Sequence, residues 1–215
     1  MIVTVADPDE FVRLARRHLR AEPPGLLEPQ SNPKGDHELS LDGTPFVRTS
    51  LPRPAAVLVP VLRHRDDITV LFTVRAPGLR DHSGQISFPG GKIEADDPSP
   101  LATALREAEE EIGLDRRYVR PLGHLDAYLS SSGYLVMPVV GLIAPDHVLR
   151  VNETEVSDVF EVPLSFLMDP SNHELHAREW KGRLRQYYAI PFRDRYIWGV
   201  TAGIVRNMYE RLYQA

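Results

Sequence analysis

Apolar residues recur at helical spacing near both ends of the chain and in strand-like runs between them. Asp7 and Pro8 suit a helix start, because Asp can cap free backbone N–H groups and Pro fits the first helical position. Apolar side chains in residues 11–19 then share one face, which predicts an amphipathic helix through about Arg20. Residues 200–215 show the same spacing and predict a closing helix.

The middle of the chain favours β-strands. Residues 54–62 and 68–76 predict two adjacent strands, because two apolar runs flank the polar turn RHRDD. Further extended segments are predicted in residues 83–91, 123–144, 155–168 (a strand, then a short helix) and 174–192 (a hairpin bent at 181–182). Because the strands come in pairs with few helices between them, an α+β layered fold is expected rather than a doubly wound sheet.

The chain of 215 residues has room for one domain with additions at its ends. We expect residues 1–215 to form a single domain, with an N-terminal helix and extended arm (1–54), a core (55–168) and a C-terminal hairpin and helix (169–215). The arm is expected because residues 22–54 are rich in proline and glycine, which interrupt regular elements.

Composition excludes several classes of protein. Apolar residues make up 42% and charged residues 26%, as in soluble globular proteins. The formal net charge of -5 argues against bulk attraction to nucleic acid or to an anionic membrane. Cysteine is absent, which excludes disulfides and thiol chemistry. The sequence shows neither a signal-peptide pattern nor an apolar run that could span a bilayer, so a cytoplasmic location is expected.

The segment TALREAEEEIGL, residues 103–114, concentrates negative charge on a predicted helix. Ser99 can cap this helix, Pro100 suits its first turn and Gly113 can end it. Helical geometry sorts the side chains into an apolar arc and an acidic arc. The apolar arc holds Leu101, Leu105, Ala108 and Ile112, and the acidic arc holds Glu107, Glu110 and Glu111, with Glu109 elsewhere. Like charges at this spacing repel, and a hard divalent cation would reverse that effect, whereas a solvated charged face is the alternative interpretation.

The stretch GGKIEADDPSPLATALREAEEEIGL resembles the Nudix box. That family pattern is Gly, five residues, Glu, seven residues, Arg-Glu, an apolar residue, any residue, Glu-Glu, any residue, Gly and an apolar residue. Gly91 matches the start of the box, and the residues from Arg106 onwards match its end without a gap. Asp97 stands in place of the first Glu, and eight residues rather than seven separate it from Arg106, so one residue must loop out. Glu94 and Asp96 are alternatives for the role of that acid.

The stretch LFTVRAPGLRDHSGQISFPGG, residues 71–91, resembles the motif that precedes the box in Nudix hydrolases acting on coenzyme A. The matching positions are Phe72, Thr73, Arg75, Ala76, Arg80, Gly84, Phe88, Pro89, Gly90 and Gly91. The extra residue in the box is also a feature of that subfamily. Together the two motifs cover residues 71–114.

The resemblance implies a Nudix-type α/β/α sandwich, with a mixed β-sheet between helices. It also implies hydrolysis of the diphosphate of coenzyme A or acyl-CoA to 4'-phosphopantetheine and adenosine 3',5'-bisphosphate, with Mg²⁺ or Mn²⁺ as cofactor. Members of this family are often homodimers, so a homodimer is one expectation. Two alternatives stay open: a Nudix hydrolase of another nucleoside diphosphate derivative, such as ADP-ribose or a dinucleotide, and a non-catalytic nucleotide-binding module.

The resemblance gives the box residues expected roles. Glu107 and Glu111 are the leading metal ligands, since carboxylates four residues apart on a helix can close on one ion. Glu110 would share a second ion or orient water. Arg106 would hold one glutamate in place, with a surface ion pair as its alternative role.

Candidate substrate and base residues lie outside the helix. Gly90 and Gly91 form a turn whose backbone can approach a ligand closely. Arg75 and Arg80 are candidates for binding substrate phosphate, with an interstrand ion pair as the alternative. The segment VNETEVSDVF offers acids just before a late strand, and Glu155 is preferred there as the general base, with an acidic loop as the alternative.

Other groups are interpreted as structural. A metal motif can be written for His173 and His176, but no third ligand follows at a fitting spacing. We therefore read the histidines as surface or core residues. The aromatic residues that we read as core and interface packing, rather than as a platform for bases, are Tyr187, Tyr188, Tyr196 and Trp198.

Overall fold

The computed structural model describes residues 7–24, 33–39, 51–65, 67–78, 84–180 and 183–214. The α-helices in these ranges are α1 (Pro8–His18), α2 (Pro100–Ile112), α3 (Leu164–Leu167) and α4 (Val200–Tyr213). The strands are β1 (Arg53–Arg63), β2 (Ile68–Arg75), β3 (Ile86–Ser87), β4 (Gly90–Lys92), β5 (Val119–His124), β6 (Tyr128–Leu129), β7 (Tyr134–Ile143), β8 (Val156–Pro163), β9 (Glu174–Trp180), β10 (Arg183–Phe192) and β11 (Arg195–Trp198). None of the described helices is both long and apolar enough to cross a membrane.

The larger sheet is mixed, as the sequence predicts. Strands β1 and β7 run parallel along their length, whereas β1 pairs antiparallel with β2 and β7 pairs antiparallel with β5. Strand β8 pairs antiparallel with β2, and β4 pairs antiparallel with the first half of β1. Strand β1 lies inside the sheet and packs on both faces, which explains why its sequence is a nearly continuous apolar run.

The sheet separates two apolar clusters, so the predicted α+β sandwich is confirmed. On β1, Leu58 and Leu62 pack in the cluster that includes α2, whereas Val59 and Val61 pack in the opposite cluster with α1, α3 and α4. This alternation follows from the two-residue period of a strand. The smaller sheet, in the order β11-β10-β9, adds Ile190 to the second cluster.

Most of the predicted elements are present, and the structure adds one strand. Strand β11 was not predicted; it pairs antiparallel with β10 across a tight turn in which Arg193 has a φ of 55°. Four residues are too few to give a recognisable apolar period. The bend predicted at residues 181–182 and most of the arm predicted in residues 22–54 lie outside the described residues, while residues 36–39 of the arm form a 3₁₀ turn.

Candidate active site

Local sequence signals fix the ends of α2. The Ser99 side chain accepts a hydrogen bond from the Ala102 N–H at 3.2 Å, and Pro100 occupies the first turn. Gly113 ends the helix in the left-handed conformation, with a φ of 63°, where a residue with a Cβ would be strained. These three predicted signals are confirmed. They set where each acid of the helix lies along its axis.

The buried face of α2 differs from the predicted apolar arc. Ala108 and Ile112 are fully buried, as expected, but Leu101 and Leu105 are only partly buried. Ala104 and Glu111 are buried as well. The buried face of the helix is therefore rotated about its axis relative to the prediction, toward Ala104 and Glu111. This rotation turns Glu111 into the protein.

The three acids that were predicted to share one arc lie at different depths. The exposed fraction of the side chain is 4% for Glu111, 15% for Glu107 and 53% for Glu110. Glu109 is exposed and lies 3.6 Å from Arg116, as expected for a residue outside the acidic arc. Glu111 and Glu107 are thus largely enclosed by the protein, whereas Glu110 lies at the surface.

Glu111 is a buried carboxyl with two partners. The Gly90 N–H donates to its Oε2 at 3.3 Å, and Arg75 Nη1 lies 3.7 Å from its Oε1. Burial raises the pKa of Glu111 to about 8, because desolvation outweighs the nearby guanidinium and the amide, and the negative charges of Glu107 and Glu155 act in the same direction as burial. The structure therefore places Arg75 against a box glutamate, on a neighbouring element.

Gly91 provides the space in which the Glu107 carboxylate lies. A Cβ on Gly91 would lie 2.3 Å from Glu107 Oε1, closer than real Cβ contacts allow. A Cβ on the preceding Gly90 would instead lie 2.4 Å from the carbonyl oxygen of Ala56. The two glycines thus let β4 lie against β1 on one side and against the Glu107 carboxylate on the other. Burial raises the pKa of Glu107, although Arg106 opposes the effect.

Arg106 connects the acids at the start of the box to those on the helix. Its Nη1 donates to Glu107 at 2.9 Å and to Glu110 at 3.0 Å. Its Nε and Nη2 donate to both oxygens of Asp97, at 3.2 and 3.0 Å. Asp97 also accepts from the Thr103 hydroxyl at 2.9 Å. These hydrogen bonds, the one from Arg106 first, hold the pKa of Asp97 well below its usual range.

Of the three candidates for the first acid of the box, Asp97 is therefore the one whose side chain contacts Arg106. The extra residue is taken up in a turn at residues 95–96, before Asp97. The side chains of Glu94 and Asp96 are exposed, and Glu94 contributes its backbone N–H to Asp97 at 3.0 Å. Spacing alone could not decide among these acids, because the position of the loop depends on contacts with Thr103 and Arg106.

Glu155 lies in the loop before a neighbouring strand, near enough to the box glutamates to interact with them electrostatically. It immediately precedes β8, and its carbonyl oxygen accepts from the Ala76 N–H at 2.8 Å, just after the end of β2. Burial is the main cause of the raised pKa values of Glu107 and Glu111, and the charge of Glu155 adds a small effect in the same direction. Glu153 is exposed. The antiparallel pairing of β2 with β8 explains how an acid distant in sequence comes close to α2.

The remaining candidates lie elsewhere. Arg80 and its neighbours 79–83 lie outside the described residues. His173 Nε2 lies 2.7 Å from the carbonyl oxygen of Leu167, and His176 contacts Glu174 and Tyr196. Their partners differ, and no common site is formed. Among the aromatic residues, Tyr188 packs against the core as expected, whereas 41% of the Tyr196 surface is exposed because its strand is at the edge of the smaller sheet.

The comparisons with known proteins identify the family. Residues 52–182 match the NUDIX domain. A relative from Photorhabdus laumondii, named as an uncharacterized Nudix hydrolase NudL, is 41% identical over 160 residues, which is 74% of this chain and 85% of the relative. The relative of the same name from Yersinia pestis (strain Pestoides F) is 41% identical over 160 residues, 74% of this chain and 80% of its own. The chain therefore belongs to the Nudix family, and it is a hydrolase that acts on pyrophosphate bonds.

Solved structures of Nudix proteins are more distant in sequence. The Nudix hydrolase RenU of M. smegmatis has 17% identity and a TM-score of 0.47, over 82% of this chain and 97% of that one. The NUDIX domain of Shewanella oneidensis NrtR, solved with ADP ribose, has 21% identity and a TM-score of 0.44, over 58% of this chain and 81% of that one.

The donor set at the site is suited to the divalent ions that Nudix hydrolases generally use. Within the described ranges, no three acidic or histidine side chains converge on a common point, and Arg106 and Arg75 each pair with a box glutamate. Burial nevertheless raises the pKa values of Glu107 and Glu111 despite these arginines, so a further positive charge would stabilise their ionised forms. All of these donors are carboxylate oxygens, the type that hard divalent cations prefer.

The two glycines allow a paired test of the space beside Glu107. We expect Gly91→Ala to lower activity by up to about 100-fold with little change in melting temperature, because the new methyl group displaces only the end of the Glu107 side chain. We expect Gly90→Ala to lower the free energy of unfolding by more than about 1 kcal/mol, because its methyl group meets the backbone of β1. Thermal unfolding and turnover of both variants check this. Equal losses of stability in the two would contradict it.

Burial of Glu111 also predicts a pH dependence of stability. The folded protein holds a proton on Glu111 up to about pH 8, whereas the unfolded chain releases it near pH 4.5. The folded state therefore binds more protons in this window, and the free energy of unfolding should fall as the pH rises from about 4.5 to about 8. Urea unfolding of the protein in a chelating buffer measures this fall.

Glu111→Gln should remove most of that fall, since glutamine does not titrate. Glu109→Gln, which removes an exposed charge from the same helix, should leave it in place. An unchanged pH dependence in Glu111→Gln would show that the Glu111 carboxyl is not the group responsible.

Proposed function

We propose that this Nudix hydrolase cleaves the diphosphate of coenzyme A or of an acyl-CoA, giving 4'-phosphopantetheine and adenosine 3',5'-bisphosphate. The observation that carries the proposal is where the residues of the coenzyme A motif lie. Arg75 contacts Glu111, the Gly90 N–H donates to Glu111, and Gly91 makes room for Glu107. The motif that resembles the coenzyme A group therefore surrounds the acids of the Nudix box, which supports a role in binding the substrate's phosphates.

Glu107 and Glu111, with Glu110 at the exposed edge, would hold Mg²⁺ or Mn²⁺. When bound, such an ion polarises phosphoryl oxygens and makes water easier to deprotonate. Arg106 restrains Glu107 and Glu110 on one side, and Asp97 in turn holds the guanidinium, so the carboxylates have few rotamers to lose on binding an ion. Asp97 acts only through Arg106 in this proposal.

Glu155 would accept the proton of the attacking water. The water oxygen then bonds to one phosphorus of the diphosphate, and the bond from that phosphorus to the bridging oxygen breaks. Glu155 suits this role because it is near enough to Glu107 and Glu111 to interact with them electrostatically, whereas Arg106 and Arg75 pair with those two box glutamates. Arg75 would stabilise negative charge on the substrate's phosphates as well as on Glu111, and Arg80 is proposed to bind phosphate with it.

The location and assembly of the protein stay predictions. A cytoplasmic location suits a coenzyme A substrate, and a homodimer is expected from the resemblance. Binding of a small nucleotide substrate, rather than a nucleic acid, is in keeping with the formal net charge of -5.

A substrate panel tests the proposed activity. With Mg²⁺ or Mn²⁺ present, we expect kcat/KM to be highest for coenzyme A or an acyl-CoA, and mass spectrometry to find 4'-phosphopantetheine and adenosine 3',5'-bisphosphate as the products. ADP-ribose and a dinucleotide serve as the rival substrates. Faster hydrolysis of either rival would assign the protein to another branch of the family, and binding without turnover would indicate a non-catalytic module.

Removal of the enclosed carboxylates tests the metal assignment. We expect Glu107→Gln and Glu111→Gln each to lower kcat by about 100-fold or more, the equivalent of about 3 kcal/mol of transition-state stabilisation. Titration calorimetry should show weaker Mg²⁺ or Mn²⁺ uptake in both variants. The matched control is Glu109→Gln, which removes an exposed glutamate from the same helix and should behave as the wild type. Full activity in Glu107→Gln or Glu111→Gln would show that the substituted glutamate is not a required metal ligand.

A further inference from the structure

The loop that delivers Glu155 is organised by the side chain of Asn152. Asn152 Oδ1 accepts from the Thr154 N–H at 3.2 Å and from the Thr154 hydroxyl at 2.6 Å. Asn152 Nδ2 donates to Glu155 Oε1 at 3.1 Å. Only this orientation of the amide is consistent with its neighbours, because the flipped amide would point its N–H groups at the Thr154 N–H and its oxygen at a carboxylate.

The backbone of the same loop is tied to both elements that form the site. The Asn152 N–H donates to the carbonyl oxygen of Glu111 at 2.9 Å, at the end of α2. The Glu155 N–H donates back to the Asn152 carbonyl oxygen at 2.9 Å, and the Glu155 carbonyl oxygen accepts from Ala76 at 2.8 Å, next to β2. These contacts fix the Cα of Glu155 in space. They leave the orientation of its carboxylate to side-chain contacts.

We propose that Asn152 is a positioning residue that holds one oxygen of the Glu155 carboxylate, so that the other oxygen faces the attacking water. This inference rests on the proposed role of Glu155 as the base. An amide suits the task for a physical reason. It donates a hydrogen bond without bringing a full charge into a site that already contains Glu107 and Glu111, whereas a guanidinium would compete with the substrate and the cation for the carboxylate.

The isosteric substitution Asn152→Asp separates orientation from loop structure. Aspartate keeps an oxygen that accepts from Thr154, so the turn is retained, but it cannot donate to Glu155 and repels it instead. We expect kcat to fall by about 10-fold to 100-fold, the range typical of losing the orienting partner of an active-site group, with KM changed by less than about twofold. The melting temperature should stay near that of the wild type.

Asn152→Ala provides a second variant should the aspartate disturb folding. It also removes the donor, but adds no charge, so we expect a smaller fall in kcat in the same direction. Glu153→Gln is the matched control, because it changes one exposed charge in the same loop and should leave kcat and KM unchanged. The substrate is whichever pyrophosphate compound the wild type hydrolyses fastest, so the outcome does not depend on the choice of coenzyme A.

A double-mutant cycle decides whether Asn152 acts through Glu155. In the Glu155→Gln background, Asn152→Asp should cause no further loss of kcat, because the carboxylate that it orients is gone. Wild-type kcat in Asn152→Asp, or an equal loss in both backgrounds, would overturn the inference while leaving the proposed function intact. Wild-type kcat in Glu155→Gln alone would refute the proposed base and the inference with it.

Discussion

The enclosure of one ionisable carboxyl, that of Glu111, is the constraint on which the site depends. A carboxylate that loses its water must recover hydrogen bonds or positive charge, or it stays protonated. The protein supplies only part of this compensation, through one backbone amide from Gly90 and one guanidinium at 3.7 Å. The result is a carboxyl whose pKa is raised to about 8. A site whose carboxylates are only partly compensated by positive charge is suited to a divalent cation. The surrounding elements keep these carboxylates together in the folded protein.

Two arginines limit the cost of gathering so much negative charge. Arg106 pairs with Glu107, Glu110 and Asp97, of which only Glu110 is largely exposed, so solvent screens that ion pair most. Arg75 works at the inner side, beside the buried Glu111, where a lower dielectric makes each contact stronger. Neither arginine contacts all of the acids. The charge compensation is therefore incomplete near Glu107 and Glu111, whose pKa values burial raises despite the arginines.

The sequence predicts what local geometry controls. The ends of α2 follow from Ser99, Pro100 and Gly113, whose effects reach no further than one helical turn, and the strands of the core follow from runs of apolar residues. Helical spacing also separates the acids from the apolar residues, but it does not predict how deeply each acidic side chain is buried. Glu111 is buried on the same side of the helix as Ala104, and how far the helix turns this side toward the sheet depends on tertiary packing, which a period of 3.6 residues does not encode.

Tertiary contacts determine which of the candidate residues lie at the site, which sequence spacing could not predict. Asp97 rather than Glu94 contacts Arg106, because the turn before α2 closes on the Thr103 hydroxyl. The resemblance supplied Arg75 as a candidate, but its ion pair with Glu111 depends on how the end of β2 lies against α2. Asn152 carries no motif at all. Its amide lies between Thr154 and Glu155, an arrangement that no spacing in the sequence predicts.

The mixed sheet explains why these groups meet. Strand β2 is antiparallel to β8, so the end of β2 lies beside the start of β8, and Arg75 and Ala76 come to rest next to Glu155. Strand β4 pairs with β1, and this pairing places Gly90 and Gly91 beside the glutamates of α2. The box helix is held between them by its own apolar face. Glu155 immediately precedes β8, so the pairing of β2 with β8 brings it near the helix although it lies outside the sequence motif of that helix. The loop from Asn152 to Glu155 is tied by backbone hydrogen bonds to both α2 and the end of β2.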